Sequence, residues 1–435
     1  MRKSQNRRQA FKGSITVFLS IIFIVFLSLI GAMIQSATIQ SLKSIKRADM
    51  NLALENMFAE YQVDLLKQYD VFAREGTSER HISDRLEFYG IMETDHHIVS
   101  SQLLSDKKGQ AFYEQAVKSM GKSIGDGEFS VDEFDEETEV SIENRLEQIL
   151  TQEGQQLPEE NNPIEAVKKL KSLNLLSLVY PNQEELSNRN IQISRMPSHR
   201  TLETGVGNSA HGNDGSISDK ALFALYLTTH FSCGVKPTDS HPLAYEIEYL
   251  LSGKASDKEN LKVTAEKILA IRMAVNYAYL LTDQSRQAEA ATLALGLSSL
   301  LTAPEASEAV KQAILLAWAY GESILDLRVL FQGKCVPVLK TSASWQLQLS
   351  NIFQLSSEHV TAGESGSTEG IDYQTYLKAL LIAENKETLC MRALDLLELN
   401  TGIRVDECLV GVELQSECQL RGEIPYTFTT KYQYE

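Results

Sequence analysis

Apolar positions along the chain fall into three regimes. From Ile15 to Ile34 (ITVFLSIIFIVFLSLIGAMI) the sequence is dominated by Ile, Leu, Val and Phe, and no charged residue occurs between Lys12 and Lys43. About 20 residues at 1.5 Å rise reach roughly 30 Å, the thickness of a bilayer's hydrocarbon core, so the run predicts a transmembrane helix. The pattern then narrows to a stripe. Ile39, Leu42, Ile45, Leu52, Leu54, Met57, Phe58, Tyr61, Leu65 and Leu66 recur at spacings of mostly three and four, with charged residues between them. No Pro or Gly interrupts Ala32 to Glu75. One continuous helix is therefore expected, crossing a bilayer over 13–36, extending as an amphipathic helix over 37–75, and ending at Gly76-Thr77-Ser78.

The third regime mixes helices with a little sheet. Residues 76–124 read as a helical segment, with Phe112, Tyr113, Ala116, Val117 and Met120 on one side. Pro163 to Val179 reads as a helix opened by its proline. Further helices are expected over 221–231, 258–281, 287–301, 307–331, 372–384 and 386–399, with Ser256 or Asp257 capping the second of these. Tyr245-Glu246-Ile247-Glu248-Tyr249 alternates with period two and predicts a strand with Glu246 and Glu248 on its solvent side. Val410, Val412 and Leu414, then Ile424, Tyr426, Phe428 and Tyr432, alternate on either side of Arg421-Gly422 and predict an antiparallel hairpin. The expected class is helix-rich α+β, a long N-terminal transmembrane helix leading into an exported domain with a small antiparallel sheet. Its core should span 164–435, with a polar loop over 187–219.

Charge orients this arrangement. The net charge is −17, yet residues 1–48 carry +8 and no acid, which leaves −25 for the remainder. Five basic residues precede the apolar run and three follow it. The positive-inside bias thus keeps the basic tail 1–12 in the cytoplasm and exports the body, and residues 15–34 make the bilayer a partner. A cleaved signal with Gly31, Ala32 or Ala37 at its peptidase site is the rival reading, but the apolar run exceeds a signal core. So acidic a body repels phosphate backbones, which argues against nucleic acid as a partner. Residues 125–163 hold thirteen acids against Arg145 alone and read as a solvated linker. Its DEFDEETE stretch lacks the central Gly of a calcium loop. Cys233, Cys335, Cys390, Cys408 and Cys418 allow at most two disulfides if exported, and none forms a CxxC pair.

No catalytic, cofactor-binding or metal-binding residue can be assigned from these patterns. Ser252-Gly253-Lys254-Ala255-Ser256 resembles the end of a phosphate loop, but position 248 is Glu where such a loop needs Gly. Asp95-His96-His97 lacks a spaced His partner and reads as a surface pair. Glu246 and Glu248 are the nearest thing to a glycosidase carboxylate pair, and their alternation makes them the outer side of a strand. Gly205-Val206-Gly207-Asn208-Ser209 is not a nucleophile elbow. Trp318 and Trp345 read as core anchors.

KGSITVFLSIIFIVFLSLIGAMIQSATIQ followed by LALENMFAEYQVDLLKQYDVFARE resembles a family of single-pass membrane proteins of Gram-positive bacteria associated with tight-adherence (Flp/Tad) pilus genes. GQAFYEQAVKSM, YEIEYLLSGKASDKENL, ILLAWAYGESILDLRVL and MRALDLLELN extend the resemblance over most of the chain. The resemblance implies a core domain of unknown function and an accessory role in a pilus or surface-secretion apparatus, similar in outline to TadE/TadG-like proteins, acting by protein–protein contact. An exported enzyme or ligand-binding ectodomain is the alternative. If Gly13 ended a prepilin leader, the fifth residue beyond it would be Phe18, where pilin-type proteins carry Glu. That departure points to a resident accessory protein rather than a filament subunit.

Overall fold

The computed structural model describes residues 7–124, 163–180, 186–207, 216–300, 307–355 and 370–434. The first six residues of the basic tail, nearly all of the acidic linker with its DEFDEETE stretch, and 208–215 of the polar loop lie outside the described residues. The chain is a helix-rich α+β protein with a four-stranded antiparallel sheet, as its periodicities imply.

Helix α1 (Arg7–Phe58) is one continuous rod of 52 residues. Its first part is long and apolar enough to cross a membrane and is exposed throughout. Its last turns are different. Met50, Leu54, Met57 and Phe58 each retain 1% exposure or less, and Ile39 and Leu42 are partly covered. Burying such side chains contributes about 1.5–3 kcal/mol each. They pack on helix α3 (Glu79–Phe88) through Ile82 and Leu86, and on strands β3 (Cys408–Leu420) and β4 (Ile424–Gln433).

The rod stops at Phe58, not at Glu75. No Pro or Gly ends it; tertiary contacts do. Phe58 stacks on Tyr432 at 4.4 Å between ring centroids, and the Tyr434 hydroxyl donates to the Phe58 carbonyl that the next helical turn would have used. Two residues on, Glu60 is drawn aside by Arg85, by Arg74 at 3.4 Å and by the Tyr89 hydroxyl at 2.7 Å. Leu65 and Leu66, read as part of the same stripe, belong to a separate short helix α2 (Val63–Tyr69), and β1 (Arg74–Glu75) follows it.

Strand β3 is the central strand. It pairs with β2 (Thr94–Leu103) on one edge, and with β4 and then the short β1 on the other. β2 is a second departure from the sequence reading, which has helix throughout 80–120. Its first residues are polar, and pairing to β3 rather than apolar alternation makes it a strand. Helix α4 (Asp106–Ile124) starts after it, behind left-handed backbone at Lys107, Lys108 and Gly109.

The larger core is helical. α5 (Pro163–Ser172) and α6 (Leu175–Val179) replace the single helix expected there, because Asn174 restarts the chain by capping Leu176 N–H. α7 (Ile217–His230), α8 (Glu246–Ser252), α9 (Asp257–Leu280), α10 (Gln284–Leu300), α11 (Ser307–Phe331), α12 (Tyr373–Ala383) and α13 (Lys386–Thr401) complete it. α9 and α10 both pack on α11, the most buried of them. Ser256 caps α9 by accepting from Glu259 N–H. Cys408 and Val410 at the start of β3 belong to this helical core, whereas Leu409, Val412 and Leu414 belong to the cluster under α1. β3 therefore ties the two cores together.

If the end of α1 is a structural wedge, Phe58→Ala should cost about 3–5 kcal/mol. Leu52→Ala, on the opposite side of the same helix and 58% exposed, should stay within about 0.5 kcal/mol. Urea unfolding of the detergent-solubilised chain measures both, and equal losses would mean that α1 does not dock as described.

Candidate interaction groove

The strand expected at Tyr245–Tyr249 is helix α8, and its two acids point inward. Glu246 is 1% exposed and Glu248 is fully buried. Seven residues buried on nearly every side show no 3.6-residue polar face, so their sequence mimics alternation. Glu246 accepts from Ser232 N–H and Oγ at 2.9 Å, from Asn400 Nδ2 at 2.7 Å, and lies 2.8 Å from His241 Nδ1. It clasps the loop that follows α7. Glu248 Oε1 accepts from Gly234 N–H at 2.7 Å and from the Tyr373 hydroxyl at 2.6 Å, while its Oε2 is sealed in with no partner. Burial pushes its carboxyl up to about 7. These carboxylates hold structure rather than face a substrate.

The other sequence candidates are equally internal. His96 is buried, with Nδ1 3.0 Å from Ser416 Oγ across the sheet, and burial lowers its pKa; only His97 is the surface residue expected of both. Ser252–Ser256 joins α8 to α9, with Gly253 in left-handed backbone closing the first helix. Gly205 lies against β2, where a Cβ would meet Ser101 carbonyl oxygen at 2.1 Å, and Ser101 N–H donates to Val206. Trp318 and Trp345 are buried anchors, their ring N–H groups both donating to Leu347 carbonyl oxygen, with the Arg286 guanidinium 5.9 and 5.2 Å from their rings. All five cysteines are free thiols, and burial drives Cys233 up to about 11 and Cys390 to about 12. Among the described residues no three His, Cys, Asp or Glu side chains gather as metal ligands would.

Among the described residues a groove opens at the inner end of α1. Three clefts of about 1010, 480 and 330 Å³ join along α4. The largest lies between the last turn of α1 (Glu55, Phe58), Ala59, Tyr61, Phe72, α4 (Ala111, Glu114, Gln115, Lys118), the end of β4 (Lys431, Tyr432, Gln433) and Tyr434 beyond it. It shares Glu114, Lys431 and Gln433 with the second cleft, which spreads over the end of the sheet. It shares Phe72, Gln115 and Lys118 with the third, beside α2. The floor is aromatic: Tyr61 meets Phe72 at 5.3 Å and Phe72 stacks on Tyr434 at 5.6 Å between centroids. Gln115 fixes Phe72 by hydrogen-bonding both its N–H, at 2.7 Å, and its carbonyl, at 3.0 Å.

Polar chemistry rims this floor. Lys107, Lys118, Lys122 and Lys431 line the three clefts, and among the described residues none has a carboxylate within ion-pair distance. Glu114 and Glu413 accept from Gln110 and Ser100, and Asp70 accepts from Ser119 beside His230. The sequence patterns had marked Phe58, Tyr61 and Tyr432 as helix stripe or strand alternation, but nothing in them joins these residues to Gln115, Lys118 and Lys431. The groove is thus an aromatic floor with a polar rim of both charges, Lys107, Lys118, Lys122 and Lys431 beside Glu55, Glu114, Glu413 and Asp70.

The buried acid gives a test of the internal reading. Its pKa rises from 4.5 in the unfolded chain to about 7 in the folded one, so folding favours its protonated form. Stability contributed by that proton is present below about 4.5 and is lost as pH rises to about 7, by roughly 3 kcal/mol at most. Glu248→Gln keeps an acceptor for Gly234 and Tyr373 and cannot ionise. Its melting temperature should fall less than that of the parent between pH 5 and 7.5, and parallel pH profiles would refute the assignment.

A family model described as a family of unknown function, DUF5702, matches residues 153–420. Neither a curated protein nor a solved structure matches the chain. The matched stretch covers the helical core and β3, and stops before β4; α1 and α4 precede it. Since the match spans more than half of the sequence, the chain belongs to the DUF5702 family of unknown function.

Proposed function

We propose that the protein is a membrane-anchored, extracytoplasmic accessory protein that works by binding other proteins, in a tight-adherence (Flp/Tad) pilus or a related surface-secretion apparatus. One observation carries the membrane and interaction parts of this reading. The helix long enough to cross a membrane is the same rod whose far end is wedged into the body and forms one wall of the groove. From Ile34 to Phe58 that rod rises about 36 Å, so a partner bound at Phe58 would be held at a fixed height above the bilayer. A flexible linker would not fix that height.

The charge pattern supports the orientation, with five basic residues on the cytoplasmic side of the span. The acids weighed as catalytic are spent on internal hydrogen bonds, and the open surface is aromatic with a lysine rim. Both favour docking over turnover. The pilus assignment itself rests on the resemblance of the anchor and core motifs.

Two measurements test this. In intact cells, external protease should degrade the body while an N-terminal cytosolic tag stays protected; the reverse pattern overturns the orientation. Deleting the gene should reduce surface pili and adhesion severalfold, with restoration by the wild-type gene. Unchanged pili and adhesion would remove the pilus assignment.

A further inference from the structure

The long helix and the sheet run side by side, and in the same sense. Lys43 Nζ and the Arg47 guanidinium lie 5.1 and 5.9 Å from the Tyr426 ring, while Phe58 stacks on Tyr432. Between these two contacts α1 rises about 20 Å, and β4 rises about 20 Å as well. β4 therefore climbs beside α1 away from the apolar span, and the β3–β4 turn (421–423) is directed back toward it. The body also begins close to the span. Every side chain from Ile15 to Thr38 is exposed; Ile39 is the first to be partly covered, and it packs on the cluster that holds Leu420 and Tyr426. Ile34 to Ile39 is a rise of only about 7–8 Å. The last rung of the hairpin, Leu420 with Ile424, lies two residues beyond Tyr426, about 7 Å nearer the span. Arg421, Gly422 and Glu423 continue past it and are all exposed. The turn thus comes within about 5–7 Å of the level of Ile34. That is about the depth of one headgroup layer, since a bilayer of roughly 30 Å of hydrocarbon measures about 40–45 Å with its headgroups.

We infer that the β3–β4 turn stands in the lipid headgroup layer of the leaflet that α1 leaves, with Arg421 against headgroup phosphate and Glu423 against the amine of a zwitterionic lipid. This rests on the reading of α1 as a membrane anchor and adds a second, peripheral contact with the same bilayer. Charge alone does not choose this surface. Lys43, Lys46, Arg47 and Arg421 share this end of the molecule with Glu93, Asp95, Glu417 and Glu423, so both signs are present and no preference for anionic lipid follows. Height chooses it. The span and the turn are joined by one packed unit, in which Met50, Leu54, Met57 and Phe58 fix α1 against β3 and β4. Transmembrane helices tilt by about 20° on average, and a turn seated on the surface props the rod on the side where the sheet lies. The groove, at the far end of the same strands, is thereby held away from lipid.

The test uses the full chain in phosphatidylcholine nanodiscs, with a nitroxide on a fraction of the headgroups and tryptophan emission as the readout. Trp318 and Trp345 are buried and supply a constant background. The emission added by Arg421→Trp should be mostly lost to the headgroup nitroxide. That added by Thr429→Trp, about 20 Å farther along the hairpin, should be almost unchanged. A polar helical insert of seven residues after Gln35 lifts the body about 10 Å in nearly two whole turns, and should restore most of the Arg421→Trp emission. Should Arg421→Trp misfold, the wild-type chain decides: photocrosslinking from headgroup-labelled lipid should mark residues 421–423 and leave 429–433 unmarked. Equal quenching at positions 421 and 429, no quenching at 421, or quenching that the longer rod leaves unchanged would overturn the inference. The anchor is read separately, from Phe23→Trp and a nitroxide on the acyl chain. Quenching there with none at 421 removes the headgroup contact and leaves the anchor; no quenching there removes the span and the contact together.

Discussion

Buried carboxylates catching backbone N–H groups hold this body together. Irregular segments carry donors that cost free energy if they are buried unpaired, and a buried carboxylate is costly unless it is hydrogen-bonded. Here each cost offsets the other. Asp257 accepts from Ala244 and Tyr245 N–H and from Ser187 Oγ. Asp395 accepts from Ser198 N–H and Oγ and from the Tyr249 hydroxyl. Glu322 takes Gln346 and Leu347 N–H and Lys340, and Asp106 takes Leu103 and Gly205 N–H. Asp106, Glu246, Glu248, Asp257, Glu322 and Asp395 all sit on helices, and each takes at least one backbone N–H from a segment outside its own helix. Loops that lack secondary structure of their own are thereby pinned to the rigid elements. Among the described residues the scheme is most crowded at Asp326, which shares Arg272, Asn276 and Lys340 in a fully buried cluster. Such a cluster holds only while all its members are present, because removing one partner strands a charge.

That internal rigidity matters at the end of α1. Phe58 meets β4 and the tail residue Tyr434, β4 meets β3, and β3 begins inside the helical core that the carboxylates fasten. A displacement of the rod therefore cannot be absorbed locally. It must shear the Phe58–Tyr432 stack or move the sheet as a unit, and close-packed interfaces resist the first.

The elements that were legible from the residues are those whose pattern is local. α9, α11 and α13, the capping role of Ser256, and the hairpin about Arg421-Gly422 all announce themselves in short windows. The misread elements are those decided from a distance. Tyr245–Tyr249 alternates in sequence because both faces are buried, and only the partners of Glu246 and Glu248, on α12, α13 and the loop after α7, select helix. β2 is polar in its first four residues, and its strand state comes from β3, more than 300 residues later. The end of α1 has no breaker residue, since Tyr434 and Glu60's cations supply the stop. The groove was illegible for the same reason, being assembled from α1, α4 and the last strand.

The stretch that defines DUF5702 supplies most of the helical core and the central strand, yet apart from Gly207, Val410 and a few neighbours on β3 the residues lining the groove come from outside it. β3 is paired on one edge by β2, from before the matched stretch, and on the other by β4, from after it, and the short β1, from before it. The matched domain thus presents a strand that its own residues leave bare on both sides, and the flanking segments complete it. The long helix α1 and most of the groove belong to that completing layer. Stability of the helical core and assembly of the groove thus fall to different stretches of one chain.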